Sequence, residues 1–529
     1  MSVKQSDVLV KQEDGPVPPR SLMRGPGATF WKNRLAEAGL ILSMGLYYVV
    51  GNPNLQFGLL PHLNPLYSLP FLFAFAALCW YRLPFALALL PLSFPYYYLQ
   101  KVVFSHYAFS LVEIVLGVCL VVAVLRMLLR PQDRHYLLAW SELRDHFGPF
   151  FVPILAFVAA AVVSIVVAYE HSFAVRAFRE EVVDPLLYVV LLCMYLRTRV
   201  DVQRLLAAFI GSGVVIALLG LAQYFAFRYT IQPDPVDKLQ RIYAVYGSAN
   251  SIGLFFDYVM PLAFAVVFSR LAWKYRLLAL LPIALMGGAL YLTQSRGSWM
   301  VAIPIGLVFV IAFALRSRKV LLASAVAALL VLALVGGAFH TKIWNYVMNE
   351  HVSTDGVSTV TKRIYLWETA LGMIHDRPWL GYGMDNWLCY YSKNDVCPSG
   401  LHQYWIKEVN GKPTGLADEP TLSHPHNVFL HVWVSMGVFG VLAFAALLGL
   451  FYWLFARILQ RLHTYDEADK EQLRCMVVGV GAALLAAMAQ GQIDSAFLEQ
   501  DLSFCFWTLL AALLILRVLS QTSWRKTAP

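Results

Sequence analysis

The chain has 529 residues, 59% of them hydrophobic and only 14% charged. A soluble protein carries about a quarter charged residues, so that class is excluded. The net charge of +9 does not indicate nucleic-acid binding, because no basic groove or aromatic-basic repeat is present.

The opening "MSVKQSDVLVKQEDGPVPPR" is polar, holds three Pro and reads as a disordered tail without a cleavable signal peptide. Beyond it come long apolar runs that read as membrane-spanning helices. In chain order they are 35–51, 65–81, 83–99, 107–127, 149–169, 182–197, 205–227, 249–269, 276–294, 298–315, 320–338, 427–456, 474–492 and 502–518. The connecting turns inside 65–99 and 276–315 are very short. The sequence therefore predicts an all-α polytopic transmembrane bundle of about 12–14 spans with a long external insertion. Its organisation reads as a tail at 1–33, transmembrane helices at 34–339, the insertion at 340–424, C-terminal transmembrane helices at 425–519 and a second tail at 520–529.

Orientation follows from the basic turns. Arg126 and Arg130, Arg197 and Arg199, Arg270, Lys274 and Arg276, Arg316, Arg318 and Lys319, and Arg457 and Arg461 all fall on one side of this arrangement. The positive-inside rule makes that side the cytoplasm, together with both termini. Segments 228–248 and 340–424 and the turns 295–298 and 493–501 then lie outside.

The insertion carries Trp344, Trp367, Trp379, Trp387 and Trp405, suited to the headgroup layer. Ile364, Trp367, Ala370, Leu371 and Ile374 recur at helical spacing, which predicts an amphipathic surface helix over about 362–375. Pro378 stops it and "GYG" at 381–383 turns the chain. Cys389 and Cys397 share the insertion, where an oxidising compartment permits a bond; two unpaired thiols are the alternative. Cys79, Cys119, Cys193, Cys475 and Cys505 sit in or beside apolar runs and read as small core residues.

Charges on the outer face carry the chemistry. Arg296 lies between two apolar runs in "YLTQSRGSWM", and a cation there is costly unless it meets an anion or water. The alternative is a hairpin tip that snorkels to the surface. The helix that follows runs inward, with Ser295 or Ser298 as its cap. Inward helices also open at "YGSANSIG", capped by Ser248 or Asn250, and at "LSHPHNVFLHVW", with Pro425 in the first turn. Three positive helix ends, Arg296, and Arg363 at the head of the surface helix make an anion site, and a pyrophosphate fits it. His426, read as a first-turn residue, is disfavoured from protonation by these groups and suits a base that accepts a proton from a hydroxyl. His424 and His431 are weaker candidates. Their offsets from His426 put them on other helical faces, so no three-histidine zinc site is expected. Asn427, Asn250, Arg241, Glu368 and Asp494 are secondary candidates, the last three read equally well as solvated surface charges.

"RIYAVYGSANSIG", "TQSRGSW", "TKRIYLWETALGMIHDRPWLGYGMDNW" and "HPHNVFLHVWVSMGVFG" occur in that order. Over residues 240–455 this resembles the O-antigen ligase and polymerase superfamily, with a weaker echo in "FREEVVDPLLYVVLL" at 178–192. The resemblance implies a bacterial inner-membrane enzyme that takes a glycan from undecaprenyl pyrophosphate on the periplasmic side. It implies His426 as the base and Arg296 and Arg363 as pyrophosphate ligands, with no metal, cofactor or nucleotide sugar. The leading expectation is an O-antigen ligase with lipid A core as acceptor. Polymerases that extend another lipid-linked unit and protein O-oligosaccharyltransferases are the alternatives. A transporter for lipid-linked glycans is the reading from another class. It would place charges near the bilayer midplane and show two related halves; here the charges gather at one face.

Overall fold

A computed structural model describes residues 28–522 except 56–61, 105–106, 137–143, 145, 232–239, 316–358, 392–396, 398–399, 402, 405–407, 410–411, 414–423 and 463–466. The span expected at 320–338, most of both tails, Arg316, Arg318, Lys319, Trp344 and Trp405 lie outside the described residues.

In a bilayer every backbone polar group must be satisfied within the protein, so long apolar runs become helices. Among the described residues nine helices are long and apolar enough to cross a membrane. The expectation of about 12–14 spans differs for identifiable reasons. The helix Ala28–Val49 carries Lys32, Arg34 and Glu37 and is not among the nine. Asp184–Tyr195 has only 12 residues, and Ser298–Ala314 is a shorter apolar helix. Pro65–Tyr96 counts once, yet it makes two passes. Its backbone breaks at Arg82 (φ −128°, ψ 48°), just before Pro84, which cannot donate to the helical ladder. Arg82 pairs with Glu37 near the start of Ala28–Val49 at 2.5 Å, whereas the Tyr96 ring lies 4.7 Å from Tyr48 near that helix's end. The chain thus descends and returns, as the predicted pair 65–81 and 83–99 requires.

Contacts gather the basic turns at one end. Arg204 joins the Arg82–Glu37 pair at 3.2 Å, Arg130 lies over Trp80, Arg199 pairs with Asp469, and Arg517 donates to the His146 carbonyl. The centre of the bundle is Gln500–Thr522, whose Trp507, Leu510 and Leu514 are fully enclosed. A helix that is apolar all round belongs there. Trp273–Thr293 is peripheral and leaves Leu277, Leu278 and Leu281 exposed, as a lipid-facing helix does. Two short antiparallel ladders, Lys101–Phe104 with Tyr107–Phe109 and Glu408–Val409 with Lys412–Pro413, are the strands among the described residues.

The predicted surface helix is present as Thr359–Asp376. Its buried stripe is Leu366, Ala370, Met373 and Ile374, while Ile364 and Leu371 are exposed. Of the predicted apolar stripe, Ala370 and Ile374 belong to this buried face, which packs on a core of Tyr382, Trp387 and Tyr390 from the insertion and Val434 from the following long helix. Cys389 and Cys397 are bonded, and the other five cysteines are free and buried.

The helix Val428–Arg461 is broken at Gly437 (φ 67°, ψ −170°). The chain after the surface helix fills the break. Tyr382 N–H donates to the Val434 carbonyl (2.7 Å), Gly383 N–H to that of Ser435 (3.1 Å), and Val438 N–H to that of Pro378 (2.9 Å). Trp433 adds an indole bond to the same Pro378 carbonyl at 3.0 Å. The interruption frees backbone groups that the insertion then satisfies.

Candidate functional site

Two segments far apart in sequence build the site: residues 424–427, which lead into Val428–Arg461, and the buried turn 491–499. They are tied through backbone first, Val428 N–H to the Gly491 carbonyl at 2.6 Å. Asn427 is the N-cap; its Oδ1 accepts from Phe429 and Leu430 N–H at 3.0 and 3.1 Å. Its Nδ2 donates to the Gln492 carbonyl at 3.0 Å. Asn427 thus fixes the helix start against the turn.

His426 and Pro425 are not in the first helical turn, as the sequence suggested, but ahead of the cap. His426 has φ 49°, a left-handed conformation that a histidine adopts more readily than most side chains. Trp367 on the surface helix donates to its carbonyl at 3.2 Å. So placed, the ring sets Nδ1 2.7 Å from Asp494 Oδ1. The Asp494 side chain is 3% exposed and that of His426 15%, so the imidazole borders open space while the carboxylate does not.

His424 Nε2 lies 3.3 Å from Glu499 Oε1, and His431 Nδ1 lies 2.7 Å from Ser495 Oγ. The three rings gather, with His424 centred 4.7 Å from His426 and 5.4 Å from His431. Helical offsets separated them in the sequence reading, but His424 and His426 precede the helix, so those offsets do not apply. His424, His426 and Asp494 each present a ligand atom within 4.8 Å of the others, a grouping that could hold a metal ion. In the structure the two histidines are instead engaged with carboxylates.

Burial pushes the His426 imidazole below the usual histidine range, more strongly than Asp494 pulls it up, and His424 and Arg363 add to the depression. Burial would raise the Asp494 carboxyl, but His426, His424 and Arg363 hold it well below the ordinary range. The pair is therefore a neutral imidazole against a carboxylate, with the proton on Nδ1.

Arg363 acts electrostatically on His424, His426 and Asp494, and its buried Nε has no hydrogen-bond partner among the described residues. Arg296 opens a helical run: the backbone is already helical at 296–297, and Trp299 N–H bonds the Ser295 carbonyl at 3.2 Å. Neither predicted serine caps this run with its hydroxyl. Ser295 Oγ donates to Ser298 Oγ, and Ser298 Oγ donates to the buried Asp257 at 3.0 Å. Ser248, rather than Asn250, caps Ala249–Phe268, and Asn250 sits in its first turn. The three helix starts adjoin. A Cβ at Gly253 would meet Ser298, one at Gly297 would meet Gln490, and one at Gly491 would meet Val428.

Arg241 precedes Ile242, whose N–H reaches the Leu292 carbonyl at 3.5 Å, at the same end of the bundle. Glu368 is exposed on the surface helix, consistent with a solvated charge. Asp257 and Glu499 escaped the sequence reading. An aspartate inside an apolar run was a visible signal for the first; Glu499 had none, because its partner is His424.

Residues 281–445 match the family model described as O-antigen ligase, Wzy_C. Over that stretch the chain is similar to the O-antigen ligase family. The nine long apolar helices among the described residues make the chain a multi-pass membrane protein. The matched domain takes in Arg296, Arg363 and His424 to His431, while Asp494 and Glu499 lie beyond its end. A comparison with curated proteins finds no match.

Proposed function

We propose that the protein transfers a glycan from undecaprenyl pyrophosphate to a hydroxyl of lipid A core, on the periplasmic side of a bacterial inner membrane. The observation that carries this reading is the His426–Asp494 pair, 2.7 Å apart, set among adjoining helix N-termini and Arg363. With Nδ1–H held by Asp494, Nε2 is the nitrogen left to take a proton. The acceptor hydroxyl loses its proton to Nε2 as its oxygen attacks the anomeric carbon. The bond from that carbon to the pyrophosphate oxygen breaks, and the electron pair leaves with the pyrophosphate. Arg296, Arg363 and the helix dipoles stabilise that charge. A single displacement inverts the anomeric configuration. The disulfide in the insertion and the basic turns at the opposite end support the periplasmic placement. The clustering at one end also favours an enzyme over a transporter.

Purified protein in detergent tests the reading. Given lipid-linked repeat units alone it should do nothing, and with lipid A core added it should form product. Elongation without the core would assign a polymerase, and no transfer under any condition would remove the enzyme reading. Arg296→Lys and Arg363→Lys should retain part of the donor use that Ala loses, since a point charge lacks the guanidinium fork.

The depressed His426 pKa sets the pH dependence. A base must be neutral, so kcat/KM should hold steady through the ordinary histidine pKa of about 6.5 and fall only below it. Asp494→Asn removes the group that pulls this pKa up, so its acid limb should move lower still while the plateau drops. A wild-type limb above the ordinary value would contradict a buried neutral base.

A further inference from the structure

We propose that His424 and Glu499 form a positioning pair that holds the backbone of His426 in its left-handed conformation and so aims the base; this rests on the proposed role of His426. His424 Nδ1 accepts the backbone N–H of His426 at 3.3 Å. That residue-to-second-residue contact is the one an asparagine or aspartate side chain makes in an Asx-turn. Histidine can make it only when Nδ1 carries no proton. Against the effect of burial, Glu499 draws the His424 pKa up, so the neutral ring exists above that raised pKa. There the ionised carboxylate accepts and cannot donate, and the single His424 proton stays on Nε2, 3.3 Å from Glu499 Oε1. With the proton moved to Nδ1, two N–H groups would face each other at position 426.

Glu499 is well anchored for this task. Its carbonyl accepts from Ser503 N–H at 2.8 Å and its N–H donates to the Phe497 carbonyl at 2.9 Å. Tyr97 O–H donates to its other carboxylate oxygen at 3.2 Å. The left-handed backbone of His426 disfavours an L-residue with a Cβ, and the contact from His424 offsets that cost. Without it, position 426 relaxes toward ordinary dihedrals and the ring leaves Asp494.

A double-mutant cycle in the full-length protein in detergent reads this out. Asparagine at position 424 makes the same contact with no tautomer to control. His424→Asn should keep kcat within about threefold of wild type, and Glu499→Leu alone should lower kcat about tenfold with the donor KM unchanged, the size of one lost hydrogen bond. Glu499→Leu added to His424→Asn should cost less than about twofold. Equal losses from Glu499→Leu in both backgrounds would show that Glu499 acts elsewhere and overturn the proposal. Should Glu499→Leu not purify, Glu499→Gln gives the same comparison, since its amide can donate to Nε2: a loss in the wild-type background alone supports the pair, and equal losses sink it. Activity surviving His426→Ala would instead defeat the base assignment, whatever the cycle returns.

Discussion

His426→Ala is expected to lower glycan transfer by about 10²–10⁴-fold, the range a positioned general base supplies, while the protein inserts and purifies normally. The ring bonds Asp494 at 2.7 Å and stands edge-on to His424 at 4.7 Å, whereas the backbone anchors from Trp367 and His424 do not depend on the side chain and remain in the Ala variant. Asp494→Asn should be nearly as severe. An amide at 494 can donate to Nδ1, which moves the imidazole proton to Nε2 and leaves no lone pair facing the acceptor. Donor binding, measured by retention of the lipid-linked substrate, should persist in His426→Ala because the arginines are intact. Transfer by His426→Ala at a wild-type rate would remove the histidine from the chemistry.

The second large effect is structural. Gly437→Ala should destabilise the protein by more than about 3 kcal/mol, from backbone strain together with the loss of hydrogen bonds at the helix break. The conformation at φ 67°, ψ −170° belongs to glycine, and a Cβ there would lie 2.0 Å from the Trp379 carbonyl oxygen. Relieving that clash expels residues 378–383, and with them the partners of Val434, Ser435 and Val438. Gly449→Ala on the same helix is the control, since nothing lies within 4 Å of its Cβ; it should be neutral or slightly stabilising. Thermal unfolding followed by size-exclusion would separate the two. A Gly437→Ala protein as stable as the Gly449→Ala control would mean that the insertion does not brace the helix.

The fold was legible because hydrophobic runs and basic turns are local signals. Even the double pass through residues 65–99 could be read from run length, although the backbone there forms one kinked element. The site was legible in part. Arg296, Arg363 and His426 announce themselves as polar groups where apolar sequence resumes. Asp494 stood only among secondary candidates because its partner is 68 residues away, and no periodicity links a turn to a distant helix start. The backbone of His426 was misread for a physical reason: Pro425 fits a first helical turn as well as the tight turn it occupies. The surface helix was placed correctly, but its periodicity did not show which apolar residues pack on Tyr382 and Trp387, because they outnumber one stripe.

The break at Gly437 has a consequence for recombining such proteins. Residues 378–383 are covered by neither membrane nor solvent alone; they complete a helix that the ribosome has yet to make when they emerge. The outer segment is therefore no exchangeable cassette. A chimera that swaps it for a homologue's, with crossovers on either side of the Val428–Arg461 helix start, would join a strap to a gap of another shape. Crossovers placed beyond Val438 would carry strap and gap together, and those hybrids should be the ones that survive in the membrane.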